Sequence, residues 1–174
     1  MILLFHEEKL VFTPSKTGSS SVHYALTGRD GGRWMLNAEM YQHSNKVPER
    51  YEHYKRYLLV RNPYTRFQSM WGHHQRDCMA GKRDPGTIEQ LAERCVNTDE
   101  WFFSNITDIY GDSGWEWYWQ IEHIQDCLSQ AGIPVWVPHI NRNTFAKKDL
   151  SQEVVEILRP WAEPDCEAFN YNLR

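Results

Sequence analysis

The stretch Leu10-Val-Phe-Thr-Pro-Ser-Lys-Thr-Gly-Ser-Ser-Ser21 decides the fold. Its first four residues are apolar or β-branched, and Pro14 stops them, which predicts a short buried strand. The hydroxyl residues at its end suit a helix N-cap, and Val22-His-Tyr-Ala-Leu26 follows, which predicts a helix. A small polar loop at residues 15–21 therefore joins a strand to a helix.

A second strand and loop lie further along the chain, at Tyr57-Leu-Leu-Val60 and the residues after it. Asn62-Pro63 stops this strand and suits the start of a helix over residues 64–78. Further elements are predicted after it: a helix at 87–96, a helix ending near Ala131-Gly132, a third strand at 133–137 and a last helix at 150–158. This order predicts an α/β fold, with a parallel β-sheet flanked by helices.

Length and composition indicate one globular domain. The chain has 174 residues, and at roughly 150 residues per domain we expect a single domain over residues 1–174. The proportions, 41% hydrophobic and 24% charged, exclude a disordered or collagen-like chain. A net charge of −4 argues against nucleic acid as the main partner.

The apolar runs are too short for a membrane protein. None approaches the ~18 residues that a membrane span needs. The first residues, Met1-Ile-Leu-Leu-Phe5, also lack the basic flank of a signal peptide. We therefore expect a soluble, cytoplasmic protein with no membrane partner.

The loop at residues 15–21 has the composition of an anion-binding turn. A Gly-containing turn that feeds a helix leaves backbone N–H groups unpaired, with the helix dipole behind them. Lys16 adds a positive charge, and hydroxyl groups follow at Thr17, Ser19, Ser20 and Ser21. The loop is not a Walker A motif, which needs glycine where this chain has Ser15 and Leu10. The alternative is a plain Ser-capped helix with a surface lysine.

The second loop also offers anion ligands. Arg61 follows the strand directly, and Ser69 lies eight residues further on. A guanidinium and a hydroxyl at that spacing can both bind one phosphate. The alternative is that Arg61 and Arg66 make ordinary surface ion pairs.

Together these two loops resemble the sulfotransferases that use 3′-phosphoadenosine 5′-phosphosulfate (PAPS). Pro14-Ser-Lys-Thr-Gly-Ser-Ser-Ser21 is similar to the family's 5′-phosphosulfate loop, Pro-Lys-x-Gly-Thr-Thr, with Ser15 as an additional residue. Leu59-Val-Arg-Asn-Pro-Tyr-Thr-Arg-Phe-Gln-Ser69 is similar to the segment that binds the 3′-phosphate. Two later stretches resemble weaker motifs of the carbohydrate-type members: Val137-Pro-His-Ile-Asn141 and Asp165-Cys-Glu-Ala-Phe-Asn-Tyr171, which has Asn170 in place of a glycine.

The resemblance implies a P-loop nucleotide-hydrolase-like sulfotransferase fold. It implies metal-free, in-line transfer of a sulfuryl group from PAPS to a hydroxyl or amine of a carbohydrate or small molecule. Lys16 would stabilise the leaving phosphate of the product 3′-phosphoadenosine 5′-phosphate (PAP), and Arg61 and Ser69 would hold the 3′-phosphate. The 5′ end would be held by Thr17, Gly18, Ser19, Ser20 and Ser21 together with Lys16. The alternatives are a catalytically silent nucleotide-binding protein on the same fold and a small ATP-dependent kinase.

The resemblance also implies a base between the two motifs, which takes the proton of the acceptor. His43 is favoured because an imidazole suits this role at neutral pH, and Glu39 is the alternative. His23 and His53 are less favoured candidates. A late basic cluster either touches the 3′-phosphate or lies in a solvated loop: Arg142, Lys147 and Lys148.

Aromatic residues make up 14% of the chain, and two short stretches are especially rich in them. Trp101-Phe-Phe103 and Trp115-Glu-Trp-Tyr-Trp119 either pack in the core or stack on a sugar acceptor. If the second stretch is helical, Trp115 and Trp119 share a face.

Overall fold

The computed structural model describes residues 8–26, 46–84, 86–133, 135–138 and 149–174, and the backbone alone of residues 2–4 and 27. These residues form four strands: β1 (Ile2–Leu4), β2 (Lys9–Phe12), β3 (Lys55–Val60) and β4 (Trp117–Gln120). They also form six α-helices: α1 (Ser19–Thr27), α2 (Pro63–Met79), α3 (Ile88–Asn97), α4 (Ile106–Tyr110), α5 (Ile124–Gln130) and α6 (Gln152–Phe169). Two single 3₁₀ turns accompany them, Glu49–Tyr51 and Ile121–His123. None of the described helices is long and apolar enough to cross a membrane.

The strands form one sheet in the order β1-β2-β3-β4. β1 runs antiparallel to β2, whereas β2, β3 and β4 are parallel to one another. The register pairs Phe12 with Leu58, and Leu58 with Tyr118. The three parallel strands therefore end at the same edge of the sheet. The predicted α/β class with parallel strands is confirmed. The strands predicted at residues 10–13 and 57–60 are also confirmed, as β2 and β3.

The helix predicted to end near Ala131-Gly132 is confirmed as α5, whereas residues 117–120 before it form β4, a strand that the sequence does not predict. Trp117 and Trp119 lie on the same face of the strand, yet Trp117 is 60% exposed and Trp119 is 1% exposed. Trp115 and Trp119 accordingly do not share a helix face. Four residues without a regular alternation of apolar and polar side chains carry no clear strand signal.

The strand predicted for residues 133–137 is also absent from the described part of this segment. The Gln125 side chain takes the place of a neighbouring strand there. Its Nε2 donates to the Val135 carbonyl at 2.8 Å, and the Val137 N–H donates to its Oε1 at 3.2 Å. One amide thus satisfies two backbone groups of this segment, the Val135 carbonyl and the Val137 N–H, without a partner strand.

The chain divides into two compact units, and each is built from two separate segments. Unit 1 comprises Met1–Arg61 and Asp112–Arg142, and unit 2 comprises Asn62–Gly111 and Asn143–Arg174. The single domain expected from the length stays a prediction.

In unit 1, one face of the sheet packs against α1 and α5. Its core consists of residues from the strands and from both helices: Val11, Val22, Leu26, Tyr57, Leu59, Trp119, Leu128 and Ile133. Burial of these apolar side chains fixes α1 behind the loop that follows β2.

In unit 2, α2, α3 and α6 pack around a core that includes Phe67, Leu91 and Leu158. α6 extends well beyond the predicted residues 150–158, although it contains Pro160 and Pro164. Each proline removes one backbone donor from the helix. The buried apolar face of α6 outweighs this loss, so the helix continues to Phe169.

Arg66 of α2 is fully buried in this core. Its Nη1 donates to the Ser104 carbonyl at 3.0 Å, and its guanidinium lies 5.4 Å from the centre of the Trp161 ring. The alternative of a surface ion pair is therefore wrong for Arg66. A buried guanidinium needs such partners because its desolvation is costly.

Asp165 of α6 is also fully buried, and its carboxylate caps α4. Oδ2 accepts from the Ile106 N–H at 2.9 Å. Oδ1 accepts from the Thr107 N–H at 2.9 Å and from the Thr107 hydroxyl at 3.1 Å. The first residue of the closing motif thus has a structural role, since it satisfies the unpaired donors of a helix start.

Asn170 ends α6 in the left-handed conformation, with φ 57° and ψ 45°. The N–H groups of Asn170 and Tyr171 both donate to the Cys166 carbonyl. This closure is the one that glycine usually provides, and asparagine tolerates it better than most residues.

Candidate functional site

The loop after β2 is held in its shape by its own backbone and by one buried hydroxyl. Lys16 and Gly18 both have left-handed backbone angles, with φ 63° and 83°. The hydroxyl of the fully buried Thr17 donates to the Pro14 carbonyl at 2.8 Å. The Thr17 side chain therefore closes the turn and is not available to bind an anion.

The start of α1 brings several backbone donors together. The N–H groups of Ser21 and Val22 donate to the Gly18 carbonyl, at 3.0 and 3.2 Å. The residues just before them, 15–18, form a turn that leads directly into the helix. Backbone N–H groups at this position lie at the positive end of the α1 dipole, the arrangement that binds phosphate and sulfate groups.

Arg61 joins the two predicted anion loops. It follows β3 directly, and its Nη1 donates to the Lys16 carbonyl at 3.1 Å. This hydrogen bond brings the guanidinium to the loop after β2. Ser69 is half-buried in α2, which belongs to unit 2, so its pairing with Arg61 stays a prediction.

A third segment, directly after β4, also touches this loop. A Cβ atom added to Gly18 would lie 2.8 Å from both Cγ1 and Cδ1 of Ile121. Ile121 thus fills the space that any side chain at position 18 would occupy. The sequence reasoning missed this segment, because finding it requires β4 to be recognised as a strand.

We expect Gly18→Ala to destabilise the protein more than Gly114→Ala does. Both glycines have left-handed angles, φ 83° and 81°, which cost a residue with a Cβ about 1–2 kcal/mol. Only at Gly18 would the new Cβ also meet another side chain, since nothing lies within 4 Å of the Cβ position of Gly114. Urea unfolding measures both losses. The double variant Gly18→Ala with Ile121→Ala lacks this clash and should recover part of the lost stability. If Gly18→Ala costs no more than Gly114→Ala, the clash with Ile121 contributes nothing.

The predicted base candidates fall in different places. His43 and Glu39 lie outside the described residues, as do Arg142, Lys147 and Lys148. His53 is exposed and precedes β3, so it lies at the sheet edge opposite the anion loops. His23 lies in α1, where burial lowers the pKa of its imidazole and favours the neutral form.

The aromatic residues divide between core and surface. Trp119 packs on Tyr57 with ring centres 4.8 Å apart, and Trp115 lies 4.9 Å from the Phe12 ring. Trp101 is 53% exposed, and Trp117 is more exposed still. Core packing therefore accounts for Trp119, whereas Trp101 and Trp117 keep the surface that stacking on a ligand requires.

Comparison with known proteins identifies no relative of this chain: no protein-family model, no curated protein and no solved structure matches it.

Proposed function

We propose that this protein is a PAPS-dependent sulfotransferase with a P-loop-like sulfotransferase fold. The observation that carries the proposal is the hydrogen bond from Arg61 Nη1 to the Lys16 carbonyl. It joins the two segments that resemble the phosphosulfate loop and the 3′-phosphate segment of that family. Two anion-binding groups this close together suit a ligand with a phosphate at each end, as PAPS has.

The loop after β2 is suited to the 5′ end of such a ligand. It leads into the N-terminus of α1, where backbone N–H groups and the helix dipole favour the phosphosulfate oxygens. Lys16 adds a positive charge that stabilises the phosphate oxygen as the bond to sulfur breaks. This chemistry depends on positioning and charge and uses no metal, and the acceptor is a hydroxyl or amine of a carbohydrate or small molecule.

Arg61 is assigned to the 3′-phosphate, with Ser69 as its partner. The guanidinium donates to the Lys16 carbonyl through Nη1, which brings it to the loop. A guanidinium is suited to phosphate because two of its N–H groups can bind two phosphate oxygens in parallel. A 3′-phosphate distinguishes PAPS from ATP, so this residue determines which nucleotide the site prefers.

We expect calorimetric titration to detect binding of PAP, and Arg61→Ala to weaken it by about 30-fold or more. The reason is that a hydrogen bond to a charged group contributes roughly 2–3 kcal/mol. Lys55→Ala is the matched control, because Lys55 is an exposed cation at the opposite end of β3 that pairs with Glu116. That variant is expected to bind PAP like the unmodified protein.

ADP and ATP complete the titration. Binding of ADP as tight as that of PAP would contradict the sulfotransferase and favour the kinase. Failure of all three nucleotides to bind would favour a silent protein on the same fold.

A further inference from the structure

The segment after β4 lies beside the candidate PAPS site, which consists of the loop after β2 and Arg61. Gln120 pairs with Val60 in the parallel register of β3 and β4. The next residues of the two strands, Ile121 and Arg61, therefore follow at the same edge, where neighbouring strands are about 4.8 Å apart. Gly18 approaches the same Ile121 side chain from the loop after β2. The three segments at this edge thus converge on one place.

His123 ends the 3₁₀ turn Ile121–His123 that starts at this edge. Because such a turn rises only about 2 Å per residue, His123 stays within one turn of Ile121. It occupies the N-cap position of α5, but its side chain makes no capping hydrogen bond. In the described part of the chain, its exposed imidazole has no hydrogen bond, ion pair or ring contact.

We propose that His123 is the general base of the reaction, an inference that rests on the proposed function. The acceptor oxygen attacks the sulfur of PAPS while its proton passes to an imidazole nitrogen of His123. The bond between sulfur and the 5′-phosphate oxygen breaks, and its electron pair stays on that oxygen, beside Lys16. The imidazolium then loses its proton to water.

The other described histidines of unit 1 fit this role less well. His53 lies at the amino-terminal edge of the sheet, and its ring contacts Tyr54 with centres 4.8 Å apart. His23 lies within α1, where its Nε2 is buried away from solvent. A base must reach the acceptor, and of these three side chains the exposed His123 at the carboxyl edge has that access.

The test measures release of sulfate from PAPS with water as acceptor, so no acceptor needs to be known. His123→Ala is expected to slow this release about 100-fold or more, with PAP affinity unchanged within about threefold. Added imidazole should restore part of the rate in this variant. His53→Ala, an exposed histidine at the other edge, is the matched control and should keep the full rate.

A second measurement does not depend on turnover. Saturating PAP is expected to shift the ring signals of His123 in the NMR spectrum and leave those of His53 unchanged. Binding of PAP with an unmoved His123 signal, or with a full rate in His123→Ala, would overturn the assignment of the base alone. A protein that binds no PAP would instead refute the proposed function.

Discussion

Lys16→Ala is expected to slow sulfuryl transfer by about 100- to 1,000-fold. Removing one group that stabilises developing charge in a transition state typically costs this much. Lys16 lies in the loop after β2, and its backbone carbonyl accepts a hydrogen bond from Arg61 Nη1. The ammonium therefore takes no part in that contact. The measurement is the rate of transfer from PAPS at saturation.

The left-handed backbone of Lys16 requires a specific control, because alanine at φ 63° is strained. Lys16→Gly removes the same side chain and relieves the strain. If the ammonium acts in the reaction, the alanine and glycine variants are equally slow. A glycine variant that keeps most of the rate would show that only the shape of the loop matters, and Lys16 would lose its assigned role.

Asp165→Ala is expected to destabilise the protein by about 3–5 kcal/mol. It removes a buried carboxylate that accepts from the N–H groups of Ile106 and Thr107, and it leaves these two N–H groups without that acceptor. It also removes the favourable electrostatic interaction between this carboxylate and the buried Arg66. Urea unfolding measures the loss. Asp108→Ala, an exposed acid in the first turn of α4, is the control and should cost under about 1 kcal/mol.

The pH dependence of stability provides a further test of Asp165. Burial raises the pKa of this carboxyl above its usual 3.8, although the Ile106 N–H and Arg66 lower it in part. Between the unfolded and the folded pKa, the folded protein holds more protons than the unfolded chain. This contribution to the free energy of unfolding is therefore present at low pH and is lost as the pH rises through the folded pKa. Asp165→Asn lacks this contribution, and an identical slope in both proteins would contradict the raised pKa.

The elements around the anion loops are predictable from local sequence. Pro14 and Pro63 stop apolar runs, and hydroxyl and glycine residues mark the turn before α1, so each signal lies within a few residues. The same locality explains Asn170, since a C-cap requires only a residue that tolerates the left-handed conformation.

The parts that the sequence leaves open depend on contacts between distant residues. Gln125 replaces a strand for residues 135 and 137, and only the packed structure brings them together. Arginine is usually a surface residue, yet Arg66 is buried because the Ser104 carbonyl accepts from its guanidinium and the Trp161 ring packs against it. Ile121 and His123 join the candidate site only through the pairing of β3 with β4. The roles of Lys16, Arg61, Ser69 and His43 in catalysis or binding stay predictions.

The interleaved units have a consequence for synthesis on the ribosome. Residues 62–111 separate the two segments of unit 1, so its sheet cannot gain β4 until Trp117–Gln120 has been made. Unit 2 in turn lacks α6 until the last residues of this sequence emerge. Neither unit can complete its core while the chain is short. Each core therefore forms only after its second segment has been made, and the apolar residues of the first segment stay exposed to chaperones until then.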